Sequence, residues 1–260
     1  MKKNYKYLKL EAHEGICNLF FNRPDKMNAL NDEMQKEISE ALHDAENDPT
    51  IRVIIMSGVG RAFIAGADIS VMADQTSLQY RTYARWYHDI REQMLGMSKP
   101  IIGAVNGYAY GGGAVVAFAV DLLVAAEGAR FGQQEINVGH LKGAAYLPRL
   151  VGRLRAAQIV MLGEPITAQE AYRMGLVNWV VPDDTLMEKA TEIARKLMDK
   201  SPNALMMAKQ ILRIQNDSPE SVADYYELEV NSLCFGTAEQ VESMKAFVEK
   251  RKPDFQLRKK

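Results

Sequence analysis

The chain has 260 residues, 47% hydrophobic and 25% charged, an ordinary globular composition that suits one large domain or one domain with an appendage. Its formal net charge of -1 offers no global field to draw a nucleic acid, and the locally basic tail "RKPDFQLRKK" reads as a solvated terminus. Its longest apolar region, 114–126, is interrupted by Asp121 and too short to span a bilayer, so no membrane partner is expected. The basic start "MKKNYKYLKL" leads into no apolar stretch and is not read as a signal peptide. Cys17 and Cys234 lie far apart in no metal-type spacing, which points to a reducing, cytoplasmic compartment with both thiols as core filler.

In chain order, "GICNLFF" (15–21) reads as a strand ending at the turn "NRPDK". In "NDEMQKEISEALHDAEND", Asn31 is a plausible N-cap, and Met34, Ile38, Ala41, Leu42 and Ala45 fall on one face, predicting an amphipathic helix. "RVIIMSG" (52–58), "PIIGAVNG" (100–107) and "DLLVAAE" (121–127) are continuous apolar runs of buried-strand type. The first two lead into glycine-bearing backbone, "GRAFIAGAD" and "GYAYGGG", each before a helical pattern: one starting near Asp68 or Ile69, the other running from Ala114 to Val120. From about residue 151 mostly helical patterns follow one another to "AEQVESMKAFVEK", and many of the 14 methionines lie there, a composition suited to adaptable core or subunit packing.

The two glycine-bearing turns carry the chemical interest. Glycine beside a helix start admits a ligand close to the backbone, where peptide N–H groups lack helical partners. Ala65-Gly66-Ala67 and Gly111-Gly112-Gly113 could aim two such N–H groups at one oxygen, a geometry that stabilises an enolate formed from a thioester. Each alone also reads as a tight structural turn. Other chemistries lack their motifs. There is no GxxxxGK[ST], the third glycine of a dinucleotide fingerprint falls at Val116, and no G-x-S-x-G elbow occurs. The four histidines show no metal-ligand grouping, so no metal is expected.

"NRPDKMNAL", "AFIAGADIS", "KPIIGAVNGYAYGGG", "ARFGQQEINVGHLKG", "RLVG", "ITAQEAYRMGLVNWVV" and "FVEKRKPDF" occur in that order along nearly the whole chain. Together they resemble the enoyl-CoA hydratase/isomerase (crotonase) superfamily. The resemblance implies an α/β fold, a crotonase-like spiral of β-β-α units over residues 1–195, with a helical C-terminal trimerisation region over 196–260. It further implies acyl-CoA thioester substrates, no cofactor beyond the coenzyme A of the substrate, a homotrimer or dimer of trimers, and an oxyanion hole from the peptide N–H groups of Ala67 and Gly112. Lys26, Ala65, Gly66, Asp68, Ile69, Gly111, Val115, Gly143, Phe247 and Lys250 are the substrate-binding positions it suggests, with "FVEKRKPDF" near a neighbouring subunit's CoA site.

Hydratases of the family use two glutamates, and here the positions that match them are Val115 and Glu135, while Gly143 matches the glycine that positions the water. A single carboxylate in an apolar pocket is suited to moving a proton between C2 and C4, so a Δ3,Δ2-enoyl-CoA isomerase is the leading expectation. Val115 is expected to face the reacting carbons as an apolar wall. The alternatives are a hydratase, or a carbon–carbon bond-cleaving hydrolase or decarboxylase, with His140 standing in for the absent acid. A non-catalytic acyl-CoA binder or an RNA-binding family member is the reading from a different class. Lys142, Tyr146 and Asp68 rank below His140 as acid–base candidates, and Tyr83, Trp86 and Tyr87 are read as ordinary packing rather than as acyl-pocket residues.

Overall fold

The structure, a computed structural model, describes residues 4–72, 74–215 and 218–255. Residues 256–260 of the basic tail lie outside them.

The chain opens with an antiparallel hairpin of β1 (Leu8–His13) and β2 (Ile16–Phe21), closed by Glu14 and Gly15 at φ 49° and 83°. It continues into α1 (Asp32–Asn47), where the Asn31 side chain accepts from the Met34 N–H and Met34, Ile38, Ala41, Leu42 and Ala45 are buried as the periodicity predicts. The chain then repeats one path: β3 (Val53–Gly58), β4 (Ala62–Ile64), a short α2 (Ile69–Met72) and α3 (Ser77–Gly96); β5 (Ile101–Val105), β6 (Tyr108–Tyr110) and α4 (Gly112–Ala117); β7 (Leu122–Ala126), β8 (Arg130–Gly132), a 3-10 turn (Gln134–Val138), α5 (Leu147–Val151) and α6 (Arg153–Leu162). After β9 (Ile166–Thr167) and α7 (Ala168–Met174), β10 (Trp179–Val181) returns to the first sheet.

Each pass gives one strand to each of two sheets. A six-stranded sheet runs β1-β2-β3-β5-β7-β10, parallel except for the first pair, and a four-stranded sheet runs β4-β6-β8-β9. The chain turns from one sheet to the other at glycines that leave no room for a side chain. A Cβ on Gly58 would fall 2.0 Å from the Ala62 carbonyl oxygen, and one on Gly107 the same distance from that of Arg61. β3, β5 and β7 are buried along most of their length, which explains their continuous apolar sequence. This is the expected α/β spiral of β-β-α units with a helical C-terminal region.

Two local readings need correction. The helix after the glycine triplet starts at Gly112 rather than Ala114 and ends at Ala117 rather than Val120, because the Val115 N–H already bonds back to the Gly111 carbonyl at 3.1 Å. The segment after residue 151 also contributes β9 and β10, whose short runs are masked by the helical patterns on either side.

At the C-terminus, α8 (Leu186–Met198) runs through residues 195 and 196 and packs on β3, β5 and β7. α9 (Pro202–Gln215) is pinned to the core by Lys209, whose Nζ donates to Asp121 Oδ2 at 2.8 Å and to the Lys99 carbonyl at 3.1 Å. α10 (Glu220–Cys234) and α11 (Ala238–Val248) expose Val222, Tyr225, Leu228, Val241, Phe247 and Val248.

Candidate active site

The segment that leads from β4 into α2 supplies the first donor. Leu30 and Ala67 form a parallel bridge in which the Leu30 N–H bonds the Gly66 carbonyl (2.9 Å) and the Asp68 N–H bonds the Leu30 carbonyl (2.8 Å). That register uses the Gly66 carbonyl and the Asp68 N–H, on either side of Ala67, and the Ala67 N–H acquires no backbone acceptor among the described residues. Gly66, at φ +116°, makes the turn that permits this. Asp68 is buried and anchors the segment rather than lining the cavity: its Oδ2 accepts from Arg23 (2.8 Å) and its Oδ1 from the Ser70 hydroxyl (2.6 Å).

The second turn explains the glycine triplet residue by residue. Gly111, at φ +53°, lies under the Glu135 carboxyl, and a Cβ there would sit 2.5 Å from Oε1. A Cβ on Gly112 would fall 2.2 Å from the Tyr87 ring, and one on Gly113 2.0 Å from the Ile64 carbonyl of β4. The triplet therefore brings a carboxyl, an aromatic ring and a strand against bare backbone at the start of α4. The Gly112 N–H, first in the helix, has no intrahelical acceptor.

Glu135 stands on the 3-10 turn after β8, whose end is fixed by Gly139 at φ +83° and by the His140 N–H bonding the Glu135 carbonyl at 3.2 Å. Both side chains line one cavity of about 540 Å³ together with Ala65, Gly66, Ala67, Ile69 and Gly111. Glu135 Oε2 and His140 Nδ1 are buried without a hydrogen-bond partner. Burial pushes the Glu135 carboxyl above the usual carboxylate range, against smaller opposing effects from its own backbone and from Lys142. Burial, reinforced by the Lys142 charge, lowers His140, which favours a neutral imidazole near pH 7.

The opposite wall is aromatic. Tyr80, Tyr83 and Tyr87 of α3 line the cavity, although the sequence reading gave Tyr83 and Tyr87 to packing. The Tyr83 hydroxyl donates to the Leu30 carbonyl (3.0 Å), so across the 3.0 Å contact between the two hydroxyls Tyr87 is the donor. Lys142 also lines the cavity, its Nζ 3.8 Å from the centre of the Tyr87 ring, and burial lowers its ammonium to about 8. Trp86 does pack, donating to Ser39 at 2.9 Å. A helical period of four on α3, joining Tyr83 to Tyr87, was the signal available in the sequence.

The remaining positions lie elsewhere. Val115, expected to face the reacting carbons, is instead 4% exposed, packs in the hydrophobic core and is not among the lining residues. Gly143 lies behind the site: a Cβ there would press on Gln133 at 2.8 Å, and Gln133 braces Gly111 by donating to its carbonyl and to the Tyr146 hydroxyl. Lys26, Phe247 and Lys250 are exposed and not among the residues lining the cavity of this single chain. Among the described residues no group of three or more His, Cys, Asp or Glu side chains is placed to hold a metal, and no helix is long and apolar enough to cross a membrane.

Comparison with known proteins agrees with this architecture. The family model for enoyl-CoA hydratase/isomerase matches residues 11–258. A crotonyl-CoA hydratase from Syntrophomonas wolfei is 37% identical over 96% of this chain and 98% of its own. A 2,3-dehydroadipyl-CoA hydratase from Escherichia coli is 38% identical over 96% and 98%. The crystal structure of an enoyl-CoA hydratase subunit from Geobacillus kaustophilus superposes with a TM-score of 0.92, at 34% identity, covering 98% of this chain and 99% of that one. With a match across the chain's whole length and a fold built around the same spiral, the chain belongs to the enoyl-CoA hydratase/isomerase family.

Proposed function

We propose that the protein is an enoyl-CoA hydratase in which Glu135 moves the proton and the Ala67 and Gly112 N–H groups hold the thioester oxygen. The observation that carries this reading is the Glu135 carboxyl resting on Gly111, one residue from the Gly112 N–H. In this reading water adds at C3, its proton passes to Glu135, and the electron pair of the double bond moves onto the thioester oxygen as an enolate. Glu135 then delivers the proton to C2, and the carboxylate is regenerated. Glu135 Oε2 and His140 Nδ1, both buried without partners, support a water held between them in place of the second carboxylate. The names of the relatives, crotonyl-CoA hydratase and 2,3-dehydroadipyl-CoA hydratase, favour hydration over the isomerisation expected from the sequence.

A second reading rests on Val115. With an aliphatic residue where a two-acid site has a carboxylate, Glu135 would take a proton from C2 of a 3-enoyl-CoA and return it at C4. The test is to supply 2-enoyl-CoA and 3-enoyl-CoA separately. Hydration adds the mass of water to the first substrate; isomerisation leaves the mass of the second unchanged and creates conjugated-enone absorbance. Glu135→Gln should lower either activity by about 10²- to 10⁴-fold while leaving the affinity for a saturated acyl-CoA nearly unchanged. Near-normal turnover by that variant would overturn both readings.

A further inference from the structure

The cavity carries a cation that neither reading uses. Lys142 is half-buried and its ammonium faces the Tyr87 ring at 3.8 Å; Glu135 lines the same cavity and attracts it as a charge, but no carboxylate oxygen of the described residues makes an ion pair with it. A partly desolvated ammonium without an oxygen acceptor is costly, and an aromatic face compensates only in part. The hydroxyls beside it do not complete the site as donors, since the Tyr87 proton is committed to Tyr83 and the Tyr83 proton to the Leu30 carbonyl. Lys142 is therefore the cationic donor of this wall. It lies close to the candidate reaction centre, because the ring beneath it is the one that packs on Gly112.

We propose that Lys142 anchors an anionic oxygen on the acyl group, so that the enzyme prefers CoA thioesters whose acyl chain ends in a second carboxylate. The proposal rests on the acyl-CoA reading of the cavity and adds the class of acyl group. The thioester oxygen sits at Ala67 and Gly112, and the distal carboxylate reaches past the Tyr87 ring to the ammonium. Glu135, the other charged group of the cavity, remains at C2. Within this arrangement Lys142 is a specificity residue and exchanges no proton with the reacting carbons.

Calorimetric titration with saturated thioesters tests this without relying on turnover. Succinyl-, glutaryl- and adipyl-CoA are compared with butyryl-, valeryl- and hexanoyl-CoA on wild type, Lys142→Met and Lys142→Arg, each checked for native near-UV circular dichroism. The ratio of affinities within the best matched pair should favour the dicarboxylic member by tenfold or more in wild type. It should collapse at least tenfold in Lys142→Met and be largely retained in Lys142→Arg. An unchanged ratio in Lys142→Met, or an equal loss of affinity for both members of each pair, would overturn the proposal. So would loss of crotonyl-CoA turnover in Lys142→Met with all affinities intact, since that would make Lys142 a proton carrier. Failure of the hydratase reading appears separately, as wild-type protein that binds these thioesters and turns over no unsaturated one.

Discussion

Gly112→Ala isolates the close packing at the start of α4. Gly112 is in helical conformation, so alanine costs nothing in backbone strain and would add slightly to helix propensity. The effect is therefore steric. The new methyl would lie 2.2 Å from Tyr87 Cε1, 2.8 Å from Cζ and 2.9 Å from the hydroxyl, where ordinary contact between carbons needs about 3.5–4.0 Å. The ring must withdraw by more than about 1 Å, and its hydroxyl, 3.0 Å from that of Tyr83, then loses its acceptor. Overpacking of this kind costs about 1–3 kcal/mol and the lost hydrogen bond about 1 kcal/mol, so a net loss of about 2–4 kcal/mol is expected. At about 2 °C per kcal/mol for a chain of this size, Tm should fall by about 4–8 °C in scanning calorimetry. Tyr87→Leu makes room for the methyl, so Gly112→Ala should cost at least about 1 kcal/mol less in that background. A Gly112→Ala Tm within about 1 °C of wild type, or a penalty unaffected by Tyr87→Leu, would refute the packing described.

Glu135 is raised by burial, so the acid limb of kcat/KM should rise with pH at a midpoint above the ordinary glutamate value of about 4.3; a limb at or below that value would show a solvated carboxyl. Lys142 is lowered to about 8 in the folded chain, so between about pH 8 and 10.5 the unfolded state binds more protons and stability rises with pH, while below pH 8 the full penalty applies. Discounted for its partial exposure, that penalty predicts Lys142→Met more stable than wild type by about 1–2 kcal/mol at pH 7 in urea titrations, with the gap closing above about pH 10; no gap at pH 7 would contradict it. Val115→Glu places a carboxyl in the core and should cost about 3 kcal/mol or more, read as a lower urea midpoint at unchanged slope; an unchanged midpoint would mean that Val115 is open to water. The apolar residues exposed on α10 and α11, with Phe247 at 84%, are proposed to be covered by other copies in a trimer or hexamer, and a monomer in light scattering would refute this.

The sequence made the backbone of the site legible and left its walls obscure. Continuous apolar runs announced β3, β5 and β7, and the glycines after them announced the two turns, because buried strands and tight backbone contacts restrict composition. β1 was missed: it is a largely exposed edge strand with weak alternation. β4 and β6, at three residues each, are too short to show a period and are defined by their pairing. Glu135 was found through the resemblance, and its burial, the property that raises it, appears only when Gly111 and the 3-10 turn meet. The tyrosines of α3 defeated the reading because a helical stripe of aromatics looks the same whether it faces a core or a cavity. Val115 was misplaced for a related reason: sequence position fixed its place on α4, while its burial in the core is set by how α4 packs.

The bare corners of the spiral determine what this scaffold can change. Where Gly107 and Gly113 meet the carbonyls of Arg61 and Ile64, successive coils touch main chain to main chain, and Gly58 against the Ala62 carbonyl makes the same bare corner within one coil, so no side chain sets these spacings. The Ala67 and Gly112 N–H groups, proposed to hold the thioester oxygen, hang from those coils. The facing wall of the cavity consists instead of side chains on α3 and on the loop carrying His140 and Lys142, outside the stacked coils. On the proposed function, evolution can therefore rewrite which acyl group is accepted, one wall residue at a time, while the two proposed oxyanion donors stay in fixed register. An engineer seeking new substrates should vary Tyr80, Tyr83 and Lys142 and leave His140 and the corner glycines alone.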